Sequence, residues 1–256
     1  MTIPAEFQLA AAIIAIYLLD CLALLYFNEG IVERFRQRWS IGFGSAQPWV
    51  AGKRIALLNP LTPHVPAWKA AWHVRDAREA DEIMVDAEGR LLEQCRALQG
   101  LRAFLWPTWF FVLIALPISL SLRITVVFLI TAIIAWSAVW ILIIRMWFLR
   151  KSLNLSGGAF ALVAFECLVC PPNAANLIRR LSMRHSIRAD LLTLSGMLAS
   201  SDRIGVIAHI ERSVAARQHF LEVESEAFAR SERYLTLLAD VRADDVSEKS
   251  SEERAS

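Results

Sequence analysis

Three apolar runs, Phe7 to Phe27, Phe104 to Leu122 and Ile124 to Phe148, constrain this chain more than any other feature in it. Each holds about the 20 residues that a helix needs to cross a hydrocarbon layer roughly 30 Å thick. Hydrophobic residues make up 56% of the 256 and charged residues only 20%, which is too apolar for an ordinary soluble domain of this length. The expected fold is therefore an all-α integral membrane protein with three transmembrane helices. One is an N-terminal span, two form a helical hairpin, and cytoplasmic helical modules follow each.

The charges orient the spans. Glu6 is the only charge before the first run, whereas Arg34, Arg36, Arg38, Lys53 and Arg54 come after it. The positive-inside rule puts that flank in the cytoplasm and the N-terminus outside. Between the second and third runs stands Arg123 alone, so the hairpin tip lies outside, and the return leg ends at Arg145, Arg150 and Lys151. With this topology 26 of the 27 basic residues fall on one side, and the C-terminus is cytoplasmic. Trp106, Trp109 and Trp147 sit at the span ends, where amphipathic rings anchor at headgroups. The first eight residues carry no Lys or Arg and the run is too long for a signal-peptide core, so it is expected to remain as a span. Arginine outnumbers lysine 23 to 4, a bias of GC-rich bacterial genomes, which makes a bacterial inner (plasma) membrane the expected location.

The remaining chain falls into five segments. Residues 1–28 hold the first span, and 29–103 form a cytoplasmic loop that begins as an amphipathic continuation of it. Pro60, Pro63 and Pro66 forbid a regular helix in that loop and impose an ordered loop or short strand. The pattern turns helical again from Trp68, and Glu79 to Leu101 form a helical stalk that enters the hairpin of 104–149. Residues 150–241 form a helical domain containing the short apolar stretch 159–170. That stretch is too short to span, and crossing would carry Glu166 into the bilayer, so it is re-entrant, interfacial or buried. A long helix from Ser201 or Asp202 repeats Ile207, Val214, Leu221, Phe228 and Leu235 every seven residues. The spacing is that of a coiled coil, but polar residues at the companion positions favour packing on its own domain or on a partner. The tail 242–256 is polar, lacks aromatics and is expected to be disordered.

Few residues are placed for chemistry. Asp20 is the only acid inside a span, a candidate intramembrane polar site for a proton or cation, or a hydrogen-bonding contact to Thr131, Ser137 or another subunit. Cys167 and Cys170 have the spacing of a redox dithiol or half a zinc site, but further ligands are missing. With Glu166 they read as a buried polar and thiol cluster. Arg179, Arg180, Arg184 and Arg188 are candidate contacts to headgroups or another anion, and Arg partners make an ion pair to Glu166 equally reasonable. Trp68 and Trp72 offer a partner-docking face. The four cysteines are expected to be free thiols, and no nucleotide, metal, cofactor or catalytic motif is present.

The function these features favour is non-enzymatic: an accessory or scaffold subunit of a larger envelope complex for transport, secretion or signalling. Its partners are the lipid bilayer, other proteins and potentially further copies of itself, and the near-zero net charge of +2 implies no nucleic acid. Two alternatives stand beside it: an oligomeric transporter or channel subunit with Asp20 lining the pathway, and a membrane enzyme using Glu166 and Cys167.

Overall fold

In a computed structural model of the chain, residues 4–47, 52–73, 80–184, 190–223 and 225–255 are described, with backbone alone along 80–87 and 244–255. The chain divides into two units that interleave in sequence. The first takes Met1–Ala23, Leu57–Pro66 and Leu91–His185, and the second takes Leu24–Ala56, Ala67–Arg90 and Ser186–Ser256.

The first unit begins with α1 (Ala5–Asp20), whose Ala10 and Tyr17, two turns apart, are buried. The helix stops at Asp20, and β1 (Leu22–Leu25) follows with alternating exposed and buried residues. The expected N-terminal span over Phe7 to Phe27 is thereby corrected. Sixteen helical residues reach about 24 Å, and the rest of the run is extended, a distinction that apolar composition alone does not draw.

The stalk and the second apolar run form a continuous rod. Helix α2 (Ala80–Phe110) passes through a π-helical turn at Phe111–Ala115 into α3 (Leu116–Leu122). Leu91, Cys95, Leu98, Leu101 and Leu105 form its buried stripe, as the helical spacing predicts. Pro117 has no N–H to return to the preceding turn, and the wider π turn just before it accommodates that missing bond. Arg123 takes a left-handed conformation with φ 56° and reverses the chain into α4 (Thr125–Leu149). Glu88–Leu122 and Thr125–Leu149 are long and apolar enough to cross a membrane, by length and composition. Helix α4 buries Ala135, Val139, Leu142, Ile143 and Met146 and exposes Ile133, Trp136, Trp140 and Ile144 on its other faces.

Helix α5 (Gly157–Val169) matches the short apolar stretch expected at 159–170. Ser156 Oγ accepts from the Ala159 N–H at its start, and Pro171 begins α6 (Pro171–Ala175) just past its end. Helix α7 (Leu177–Arg184) closes the unit.

The chain is mostly helical, as expected, but it is not all-α: small antiparallel sheets are present as well. β2 (Glu29–Phe35) runs antiparallel between β3 (Arg38–Gly42) and β5 (Ala67–Ala71), while β1 pairs with β4 (Arg54–Leu57). Val32 lies opposite both Ile41 and Trp68, and it is fully buried. The amphipathic helix expected after residue 28, and the helical restart expected at Trp68, are both strand instead. The β2–β3 turn is Arg36-Gln37, with Arg36 at φ 58°, so it lacks the Asn-Gly or Asp-Gly signature of a tight hairpin.

Helix α8 (Leu191–Ser195) precedes a helical hairpin. The single long helix expected from residue 201 is instead α9 (Ser200–Gln218) and α10 (Glu226–Ala255), packed on each other. Ser225 makes the break explicable, since its Oγ accepts from the Phe228 N–H and caps α10. Ile207, Ile210 and Val214 are buried on α9, and Tyr234 and Leu238 on α10. Helix α10 continues through the tail expected to be disordered; Glu, Lys, Arg and Ala there are strong helix formers.

Gly44 and Gly52 both have left-handed backbones, φ 71° and 74°. A Cβ on Gly44 would come within 2.8 Å of the Ile55 carbonyl oxygen, whereas nothing lies within 4 Å of one on Gly52. Gly52→Ala should therefore lose about 1 kcal/mol from backbone strain alone. Gly44→Ala should lose about 2 kcal/mol or more, read as the larger fall in melting temperature of the purified protein.

Candidate functional site

The densest set of polar side chains lies in the first unit, where the end of α1, the loop after β4, α5 and α7 meet. Glu166 is on α5, and Arg180 and Arg184 lie one turn apart on α7. Arg184 Nη2 donates to both Glu166 oxygens (2.9 and 2.8 Å), and Arg180 Nη2 lies 3.0 Å from Glu166 Oε2. Arg180 Nε is also 3.8 Å from Asp20 Oδ1, so one guanidinium bridges two carboxylates.

Arg179 has a different environment. It is 1% exposed, and its Nη2 donates to the carbonyls of Asn59 (2.5 Å) and Thr62 (2.8 Å) and, at 3.3 Å, to Thr62 Oγ1. Its Nη1 reaches Asn176 Oδ1 (3.5 Å) and Cys21 Sγ (3.7 Å), and Asn176 Nδ2 donates to the same sulfur at 3.3 Å. Beside this set the Tyr17 hydroxyl donates to the Pro60 carbonyl (2.5 Å) and accepts from Trp109 Nε1 (3.1 Å). Asp20 Oδ2, Arg179 Nε and Arg180 Nη1 are buried without a hydrogen-bond partner.

The thiols are suited to packing rather than reaction. All four cysteines are free. Cys167 is fully buried, and that burial pushes its thiol up to about 12 against the opposing pull of Arg180. A thiol held there is not a nucleophile at neutral pH. Cys170 is partly exposed at the C-cap of α5. Among the described residues no group of three or more His, Cys, Asp or Glu is placed to hold a metal ion.

The structure thus brings Asp20, Glu166, Cys167, Arg180 and Arg184 into one cluster. Asp20 faces Arg180 rather than Thr131, whose hydroxyl donates to the Val127 carbonyl. Arg179 is too buried to contact headgroups, which corrects its grouping with its neighbours, and Arg188 lies outside the described residues. Helical spacing carries the missing signal. Arg180 and Arg184 are four apart on one side of α7, whereas Arg179 shares the side of the buried Ser182. Tyr17, Asn59, Trp109 and Asn176 belong to the set although no motif marks them.

In the second unit, Trp68 and Trp72 are 0% and 2% exposed, so neither is a surface docking anchor. Trp68 packs against Trp39 with ring centroids 6.1 Å apart. Trp72 meets Phe27 edge-on at 5.7 Å, its backbone N–H donates to the Asn28 carbonyl at 2.9 Å, and its own carbonyl accepts from Asn28 Nδ2 at 3.3 Å. These bonds fix both rings as core. The same unit holds a buried cation: Arg54 donates to the Phe27 carbonyl and, through Nη1, to His209 Nε2 at 2.8 Å. An imidazole nitrogen that accepts from a guanidinium is neutral. Burial first, then Arg54 and Arg212, pulls the His209 pKa down to about 4, while the ring stacks on Phe43 with centroids 3.8 Å apart.

These environments set the expected behaviour of three variants. Arg179→Met breaks the bonds from α7 to the Asn59 and Thr62 carbonyls, which keep only their own turn donors at Thr62 and Val65, and should destabilise the protein by about 2 kcal/mol. Arg184→Gln, at a half-exposed pair, should cost about 1 kcal/mol or less in the same thermal melts. For His209 the unfolded chain takes up a proton near pH 6.5 and the folded chain only near 4. Its contribution is complete above about 6.5 and is lost as pH falls toward about 4. His209→Gln should flatten the pH dependence of melting across that window.

Compared with known proteins, the chain matches no family model, no curated protein and no solved structure.

Proposed function

We propose that this chain is a non-enzymatic membrane subunit that anchors and scaffolds a larger complex at a bacterial inner membrane. The α2–α4 hairpin crosses the bilayer, with α1 embedded alongside it, the N-terminus outside and the C-terminus in the cytoplasm. The observation that carries the reading is the engagement of the reactive side chains. Both oxygens of Glu166 are taken by arginines, Arg179 is wrapped by backbone carbonyls, and Cys167 is a buried, protonated thiol. A catalytic or transport group needs a free face toward substrate, and these groups face one another.

Several features support the membrane arrangement. Arg123 at the hairpin tip lies 3.7 Å from Glu6 near the start of α1, which aligns α1 with the outer part of the hairpin. Helix α1 packs on α3 and α6, and its Leu9, Ile16 and Leu19 are exposed. On α5, Leu162, Phe165 and Val169 are exposed opposite the buried Val163 and Cys167, an apolar outer face that suits lipid contact. Arg150 stacks on Trp147 at 4.0 Å where α4 ends, a pairing suited to the headgroup layer.

Extraction of the tagged chain from its native membranes in mild detergent tests the proposal. Stoichiometric foreign subunits are expected to co-purify, and a lone homo-oligomer that retains every functional property of the native membrane would overturn it. A reporter active only outside the cytoplasm, fused at Ser256, should stay silent.

A further inference from the structure

Within the second unit, a cavity of about 240 Å³ opens where α9 gives way to α10, and Trp72 forms part of its wall. Its lining pairs apolar with cationic groups. Val214 and Leu221 are apolar, Arg217 and Arg230 are cationic, and Ser231 adds a hydroxyl. The arginines are weakly engaged by the protein itself. Arg217 rests over the Phe27 ring at 4.9 Å and has no carboxylate partner among the described residues. Among the described residues, Arg230 pairs only with Glu226 on its own helix, an exposed contact at 3.8 Å. Trp72, 2% exposed, adds an aromatic wall to the apolar side of the cavity.

The geometry points to a binding site for a small organic anion: a carboxylate or phosphate monoester on a compact apolar body. Arg217 and Arg230 neutralise the charged head. The apolar body lies against Val214 and Leu221. Guanidinium forks suit both head groups, since each presents two oxygens in a plane. The size of the cavity favours a body of about one ring or a short branched chain over a membrane lipid. The site lies wholly in the second unit and does not depend on how the first unit meets the bilayer.

Isothermal titration of the purified full chain with benzoate and with phenyl phosphate tests this, with benzamide as the uncharged isostere. At least one anion is expected to bind saturably, and whichever binds more tightly identifies the head group. Benzamide should bind at least about 10-fold more weakly. Arg217→Gln and Arg230→Gln should each weaken the preferred anion by about 10-fold, and Arg217→Lys by less, because charge survives while the fork is lost. Arg233→Gln, on α10 outside the cavity lining, should leave it unchanged. Melting curves without ligand establish that each variant is folded. Absence of saturable binding by both anions, equal binding of benzamide, or folded arginine variants that bind like the parent would each overturn the site.

Discussion

A guanidinium buried where water cannot reach it fixes the organisation of the first unit. Desolvating a charge costs several kcal/mol unless dipoles or counter-ions replace the lost water. Arg179 finds them in the backbone of the proline-containing loop, through the carbonyls of Asn59 and Thr62. The same carbonyls close the loop's own turns by accepting from the Thr62 and Val65 N–H groups, and a carbonyl oxygen has a second lone pair to offer. Arg179 takes these remaining sites, and α7 is thereby tied to a segment more than a hundred residues earlier in the chain.

The second unit resolves a buried cation by related means. Arg54 is 8% exposed and is met by a backbone carbonyl and a neutral imidazole. His209 serves because it stays unprotonated, and the stack on Phe43 holds its ring in plane for the bond. Two arginines that read in sequence as surface charge thus become internal fasteners, one in each unit. Basic residues that count toward the positive-inside reading of the sequence also serve inside each unit's own core.

What was legible in the sequence followed from long periodic patterns. The stalk running into the hairpin, the reversal at Arg123 and the short α5 between Ser156 and Pro171 match their sequence signals, because local chemistry alone determines them. A short strand was foreseeable beside the prolines, where β4 lies, but β1, β2 and β3 were illegible for equally local reasons. β1 lies inside an apolar run continuous with α1, and the β2–β3 turn places an arginine where glycine or asparagine is usual. The α9–α10 break was hidden because the seven-residue spacing survives the turn, so only the capping role of Ser225 distinguishes two helices from one. At the polar cluster, Glu166 with its arginine partners was foreseeable from charge complementarity. Arg179 was not, since its acceptors are carbonyls and any residue type supplies those.

The polar cluster also explains why α1 can stop where it does. A helix that ends leaves its last carbonyls unpaired, and in apolar surroundings each needs a partner. At the end of α1 the Cys21 carbonyl accepts from the Leu58 N–H at 3.0 Å, and the Cys21 thiol accepts from Asn176 and Arg179. The Asp20 carboxylate meets Arg180, and the Tyr17 hydroxyl reaches back to Pro60. Every one of these partners comes from the loop after β4 or from the segment 176–180. The groups that look most like a reactive site are therefore the groups that terminate a short apolar helix. Freeing the Asp20 carboxylate or the Cys21 thiol for chemistry would leave Arg180, Asn176 and Arg179 short of acceptors, so the stability of the first unit and reactivity at this cluster oppose each other.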